Sequence, residues 1–345
     1  MTVEPESIPL TPLVDPFRRV ISYLRVSVTD RCNLRCVYCM PEEGIEFQPR
    51  EEILSYEEVL AVVRAGACMG LRKVRLTGGE PLVRSGIVDL VAMIKSIPGI
   101  EDLSLTTNGI ALARLAEPLA RAGLRRVNVS LDTLRPERFR QITRLGQYGD
   151  VVGGIAAARA ARLSPIKINV VVMRLVNDDE VLDFARSTYE QDWDVRFIEL
   201  MPFLEEQETC IKDTSLVLGF VPTEEIKQRI EKELGSLEPS QTEVGHGPAR
   251  YFKLPGAKGN IGFISPVTES HFCETCNRMR LTADGKLRPC LLTDHEVDLK
   301  AILRGGGDGE ALRQGILEAL HTKPDAHHLT DGNRPRWRKM IQIGG

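Results

Sequence analysis

The sequence contains no run approaching the ~20 apolar residues that a membrane-crossing helix needs, so a membrane-spanning protein is not expected. It also lacks an excess of positive charge. The 45 Lys and Arg stand against 48 Asp and Glu, for a formal net charge of −3. No global basic field is there to hold nucleic acid or an anionic membrane, and any polyanion site must be local. The opening MTVEPESIPL is acidic and has no cationic segment followed by an apolar one, which leads to the expectation of a cytoplasmic protein. Neither G-x-G-x-x-G nor G-x4-G-K-[ST] occurs, so the Rossmann and P-loop routes to nucleotides are excluded. Beyond a βα alternation there is no internal repeat, and no low-complexity tract.

What the chain does have is clustered cysteine. Six of its eight Cys fall in two groups. Cys32, Cys36 and Cys39 lie in TDRCNLRCVYCMP, a C-x3-C-x2-C run. Cys273, Cys276 and Cys290 lie in HFCETCNRMRLTADGKLRPCL, a C-x2-C-x13-C run. In a reducing compartment, clustered thiols favour metal over disulfide. Three is an incomplete number, because a structural zinc site closes with four protein ligands and a disulfide uses thiols in pairs. A cubane iron–sulfur cluster held by three thiolates keeps one iron open, where a small molecule can bind. A zinc ion completed from elsewhere stays open as an alternative for each triad. For the second, His271 or His295 would be the fourth ligand. Cys68 and Cys210 read as filler.

Strand-like runs recur at 21–29, 74–77, 103–108, 126–132, 166–173 and 195–200. Between them, Ser55 and Glu58 have capping-box spacing, and 85–97, 111–122, 149–162 and 178–190 have helical periodicity. Alternating βα units imply an α/β fold with a parallel sheet. With a period of two, one face collects Arg25, Ser27 and Thr29, Arg75 with Thr77, Ser104 with Thr106, Asn128 with Ser130 and Asp132, and Lys167 with Asn169. The other face is Leu, Val and Ile. A packed (βα)8 barrel has an apolar interior, so this polar face points to an incomplete (βα)6 TIM-like barrel with a ligand-holding interior. From about residue 235 the chain turns Gly- and Pro-rich, which suggests a smaller C-terminal α+β cluster-binding domain. The expected division is an N-terminal extension at 1–16, a core barrel at 17–235, a second domain at 236–330 and a tail at 331–345. A hairpin is expected at TADGKLRP and a helix over 309–321.

LTGGEP (76–81) follows a strand directly. It reads as a βα turn with Pro81 in the first turn of a helix. Alternatively, Gly78 and Gly79 let backbone approach a ligand while Glu80 meets an ammonium. In Asn277-Arg278-Met279-Arg280 the two arginines at i and i+2 point the same way on a strand, which suits a polyanion clamp.

C-x3-C-x2-C after a first strand, with GGEP after the second, resembles the radical S-adenosylmethionine (SAM) superfamily. Adding LTTNG, NVSLD, CNRMRLTADGKLRPCL and a terminal Gly-Gly, the chain from about residue 17 to 345 resembles the GTP 3',8-cyclase family of molybdenum cofactor biosynthesis. The resemblance implies two 4Fe-4S clusters. Cys32, Cys36 and Cys39 would hold the one that binds SAM, and Cys273, Cys276 and Cys290 the one that meets the substrate. It places Tyr38, Gly79, Ser130 and Met201 at SAM, with the GGEP backbone receiving its amino group. Arg25, Arg75, Thr106, Lys167, Arg196, Arg278, Met279 and Arg280 are placed at GTP. Gly344 and Gly345 reach into the active site beside the catalytic Arg278 and Arg280. The implied reaction has a 5'-deoxyadenosyl radical take the 3' hydrogen of GTP, after which the ribose radical attacks guanine C8. The product, (8S)-3',8-cyclo-7,8-dihydroguanosine 5'-triphosphate, leads to cyclic pyranopterin monophosphate. Implied partners are a flavodoxin or ferredoxin as electron donor and a downstream cyclic pyranopterin monophosphate synthase, with a homodimer as a further possibility. A radical SAM enzyme acting on a peptide and a zinc-containing binding module are the alternatives.

Overall fold

The computed structural model describes residues 12–201, 210–211, 216–217, 219–240, 247–327 and 338–344. Six strands form its centre: β1 (Tyr23–Ser27), β2 (Lys73–Thr77), β3 (Asp102–Thr107), β4 (Arg126–Ser130), β5 (Lys167–Arg174) and β6 (Asp194–Glu199). They pair in chain order and all in parallel. The intervening helices are α1 (Tyr56–Cys68), α2 (Ile87–Lys95), α3 (Leu112–Arg121), α4 (Pro136–Thr143), α5 (Tyr148–Ala160) and α6 (Val181–Glu190). The capping box of α1 is formed: Glu58 N donates to Ser55 Oγ at 3.2 Å, and Ser55 N donates to the Glu58 carboxylate at 2.7 Å. Two otherwise unpaired donors of the first turn are thereby satisfied. The expectations did not include α4, which buries only Phe139, Ile142 and Thr143, too narrow a stripe to show as periodicity.

One strand face builds the core. Leu24, Val26, Val74, Leu76, Leu103, Leu105, Val127, Val129, Ile168, Val170, Val195 and Phe197 pack against helix residues such as Val59, Leu90, Leu119, Val151 and Phe184. The polar residues of the alternation take the opposite face.

Two further strands widen the sheet. Ile261–Ile264 joins β6 in parallel and Arg278–Leu281 joins β1 in parallel. The arc therefore has eight parallel strands, and among the described residues its two end strands do not pair with each other. Each end strand is four residues long and lies in the Gly- and Pro-rich second half, so no βα spacing announces it. Lys286–Arg288 folds back on Arg278–Leu281 as the expected hairpin, with Gly285 at φ 82° in its turn, a conformation that favours glycine.

Candidate active site

The first triad sits on the loop that leaves β1, held from below by the GGEP turn that leaves β2. Gly79 N donates to Thr29 O at 2.7 Å and Glu80 N to Arg31 O at 2.8 Å. A Cβ on Gly78 would stand 2.6 Å from Thr29 O, and one on Gly79 would stand 2.3 Å from Arg31 O. Both glycines are thus required by the backbone of the cysteine loop itself.

Glu80, expected at a ligand ammonium in one reading of this turn, lines the cavity and is engaged by the protein as well. Its carboxylate is 1% exposed and accepts from Leu82 N (2.9 Å), Thr107 Oγ1 (2.8 Å) and Asn108 N (2.6 Å). Protein donors occupy both oxygens. Asn108 continues the chain of contacts, donating to Asn33 Oδ1 at 2.8 Å and to Cys32 Sγ at 3.8 Å. Burial pushes the Glu80 carboxyl up to about 7 against the pull of those donors.

Burial also pushes Cys32 up to about 11 and Cys39 up to about 12, and Cys36 well above the ordinary thiol value, with neighbouring thiols of the triad adding to the rise in Cys36 and Cys39. Three thiols that oppose one another's ionisation fit a cationic metal group, which deprotonates the thiols that bind it. Tyr38 donates to Asp132 Oδ2 at 2.8 Å, and Val171 N donates to Asp132 Oδ1 at 2.8 Å. Burial pushes that carboxyl up to about 6.

The second triad lines the same cavity. Leu292 N donates to Cys290 Sγ at 3.4 Å. Burial raises Cys276, but Arg278 and Lys323 outweigh it and bring the thiol down to about 6. His271 is exposed and pairs with Glu274 at 2.6 Å, and His295 is exposed. Among the described residues no three His, Cys, Asp or Glu stand close enough to share a single metal ion.

Between the triads the cavity wall carries five guanidinium groups: Arg25, Arg75, Arg196, Arg278 and Arg280, together with Thr106, Ser130, Asn169 and Met201. Arg75 Nε donates to Ser104 Oγ at 3.1 Å and Arg196 Nη2 to Asn128 Oδ1 at 2.8 Å. Among the described residues no carboxylate forms an ion pair with Arg75, Arg196 or Arg280. Burial lowers Arg280 to about 10, with Arg278 adding to the drop. Burial also holds Arg25 well below its ordinary value, with Arg280 adding to it. Asn169 Oδ1 is buried with no partner among the described residues.

The tail closes over this group. The Gly344 carbonyl accepts from Arg25 Nη2 at 3.1 Å and from Arg280 Nη1 at 3.2 Å. Gly344 has φ 76°, and a Cβ on it would meet Thr77 Oγ1 at 2.5 Å. Gly345 lies outside the described residues.

One residue expected at the substrate is placed differently. Met279 is 1% exposed and packs in the apolar core, because alternate residues of a strand face opposite sides. Lys167 shares the cavity face of β5 with Asn169, one step nearer the strand's start, where its Nζ donates to Tyr251 OH at 2.8 Å and lies 3.5 Å from Asp194. Sequence reasoning missed Asn108, Lys323 and Arg338. Asn108 lies in LTTNG, which is read only for Thr106, and Lys323 and Arg338 lie in no motif whose spacing suggests chemistry.

Residues 26–188 match the model of the radical SAM superfamily, and residues 193–329 match that of Molybdenum Cofactor Synthesis C. The structure of Streptococcus suis SuiB bound to the precursor peptide SuiA is similar in fold, with a TM-score of 0.57, 15% identity and coverage of 89% of this chain and 66% of that one. Native anSMEcpe with bound AdoMet gives a TM-score of 0.51 at 13% identity, over 88% and 81% of the two chains. Fold and cysteine loop together define a radical SAM enzyme, a class whose cofactors are SAM and a 4Fe-4S cluster. The GTP 3',8-cyclase of Thermodesulfovibrio yellowstonii is 51% identical over 332 residues, 96% of this chain and 99% of the relative. That of Heliobacterium modesticaldum is 52% identical over 336 residues, 96% and 100% of the two. The chain belongs to the GTP 3',8-cyclase family.

Proposed function

We propose that this chain is a radical SAM enzyme that cyclises GTP between ribose C3' and guanine C8, in the biosynthesis of molybdenum cofactor. The observation that carries the substrate is the set of five cavity-lining guanidiniums between two cysteine triads. Such a group is costly to bury unless an anion neutralises it, and guanidinium forks suit the oxygens of a triphosphate. A peptide substrate would leave that charge unanswered.

In this reading Cys32, Cys36 and Cys39 hold one 4Fe-4S cluster, and Cys273, Cys276 and Cys290 hold a second that faces the guanine. With SAM bound, the first would supply the single electron, drawn from an external donor, that splits the SAM sulfonium bond into methionine and a 5'-deoxyadenosyl radical able to take the 3' hydrogen. The chain's own residues do the placing. Tyr38, Gly79, Ser130 and Met201 border SAM, and the Tyr38–Asp132 hydrogen bond holds the tyrosine at the cluster loop. Arg25, Arg75, Arg196, Arg278 and Arg280 orient the triphosphate together with Thr106 and Lys167. Met279 contributes backbone only. Gly344 sets a side-chain-free carbonyl against Arg25 and Arg280, and a functional role for Gly345 belongs to the same reading.

The division into a barrel at 17–235, a second domain at 236–330 and a tail at 331–345 belongs to the same reading, with 1–16 as an extension. So do a cytoplasmic location, a homodimer, an electron from a flavodoxin or ferredoxin, and delivery of product to a cyclic pyranopterin monophosphate synthase. No helix among the described residues is long and apolar enough to cross a membrane.

Anaerobic turnover with SAM, GTP and a reductant tests the function. The expected products are 5'-deoxyadenosine and a cyclised GTP. SAM cleavage without GTP consumption would keep the enzyme class and reject the substrate.

A further inference from the structure

Lys323 is 3% exposed and lies just beyond helix Gly309–His321, outside every motif discussed above. Its ammonium has three protons, and each has an acceptor. Nζ is 3.3 Å from Cys276 Sγ, 3.0 Å from Arg278 O and 2.6 Å from Pro289 O. Pro289 immediately precedes Cys290, so one lysine ties together the loops that present two cysteines of the second triad. Among the described residues no carboxylate pairs with it.

The N-terminal segment holds this lysine in place. Arg19 is 8% exposed and Asp15 4%. Asp15 accepts from Arg19 N at 2.9 Å and from Arg19 Nε at 2.5 Å. The guanidinium so fixed donates to Cys273 O at 3.0 Å, Asp325 O at 2.7 Å and Pro324 O at 2.5 Å. The turn after Lys323 is thereby clamped to the third member of the triad, the loop of Cys273.

The first triad is built differently. Cys32 Sγ accepts from neutral amides, Leu34 N at 3.4 Å and Asn108 Nδ2 at 3.8 Å, and the cation beside that triad, Arg144, donates to the Arg35 and Met40 carbonyls and acts on Cys36 through space. Net charge and hydrogen bonds at the sulfurs are what set an iron–sulfur potential. A cation bonded to a ligand sulfur stabilises the more negative, reduced cluster. We infer that Lys323, positioned by Arg19, raises the reduction potential of the cluster held by Cys273, Cys276 and Cys290. The two clusters of one cavity are thereby set apart in potential by this chain's own charge. The inference rests on the second triad holding a 4Fe-4S cluster, as proposed above.

The test uses the full-length chain with Cys32, Cys36 and Cys39 replaced by Ala, so that only the second cluster reports. Iron content comes first: failure to load about four irons overturns the cluster reading itself. Potentiometric titration of the reduced-cluster paramagnetic resonance signal then compares Lys323→Gln and Lys323→Arg with this parent. Gln keeps donors for the carbonyls and removes the charge. The expected result is a tenfold rise in the oxidised-to-reduced ratio at the parent's midpoint, a fall of about 59 mV for a one-electron couple, with Arg restoring most of it. A Gln variant that loads its irons and keeps the parent midpoint overturns the inference. If the Gln variant does not load, Arg19→Lys replaces it. That change keeps the positive charge beside Cys273 but loses the guanidinium fork that clamps the turn after Lys323, and a lowered midpoint supports the inference while an unchanged one overturns it.

Discussion

Glu80 shows what a motif residue does when its partners are counted. Three protein donors occupy its carboxylate, so it fastens the GGEP turn to the loop after β3 and, through Asn108, to Cys32. Its folded value of about 7 lies above the ordinary 4.5. The native state therefore holds this proton more tightly than the unfolded chain, and the associated stability is present below the unfolded value and lost as pH rises through about 7. Wild-type stability relative to Glu80→Gln is expected to be lower at pH 8 than at pH 5, measured by urea unfolding of the iron-free proteins. A flat difference would reject it. Arg280→Ala is expected to weaken GTP binding by about 2–5 kcal/mol, tens to thousands of fold, in calorimetric titration. Near-wild-type affinity would remove Arg280 from the site. At this scale strand alternation alone brought Arg25, Arg75 and Thr106 to one face. The roles of Glu80 and Lys323 were not legible, because hydrogen bonds between loops distant in sequence leave no local pattern.

Among the elements, the six strands of the repeat and the capped α1 were legible because each carries its own periodicity or cap. Arg278–Leu281 was legible as a strand, but the places of the two end strands in the arc were not, because their partners lie far off in the chain: Arg278–Leu281 pairs with β1. The tail depends on a similar distant contact. Arg338 donates to Asp284, in the turn of the hairpin, at 3.0 and 2.8 Å and to Glu296, in the loop beyond it, at 2.6 and 2.9 Å. These bonds fix the chain six residues before Gly344 meets Arg25 and Arg280. Arg338→Met is expected to leave iron content unchanged, to speed carboxypeptidase digestion of the tail and to cut turnover at least tenfold. Arg338→Lys should recover little, since an ammonium cannot serve two carboxylates as a fork does. Tail digestion at the wild-type rate would dismiss the tether.

For the whole molecule, the apolar core lies on the helix side of the sheet and the cationic group on the other. Stability and polyanion binding are therefore separable. GTP or inorganic tripolyphosphate is expected to raise the melting temperature of iron-free protein, since a ligand that binds only the folded state stabilises it by mass action. No shift at saturating tripolyphosphate would mean that the arginines need the clusters first. The α/β class and the wet interior were legible from alternation. The eight-strand extent of the arc was not.

That extent bears on how the chain is made. The edges of β1 and β6 are covered only by residues 278–281 and 261–264, which a ribosome delivers late. Until then a nascent chain holds six paired strands with two open edges, the usual template for intermolecular pairing. A chain ended at residue 240 is expected to form aggregates on expression, seen by sedimentation, where the full chain stays dispersed. The second half of this enzyme thus serves as the first half's selvedge, and synthesis must run nearly to the tail before the fabric can no longer fray.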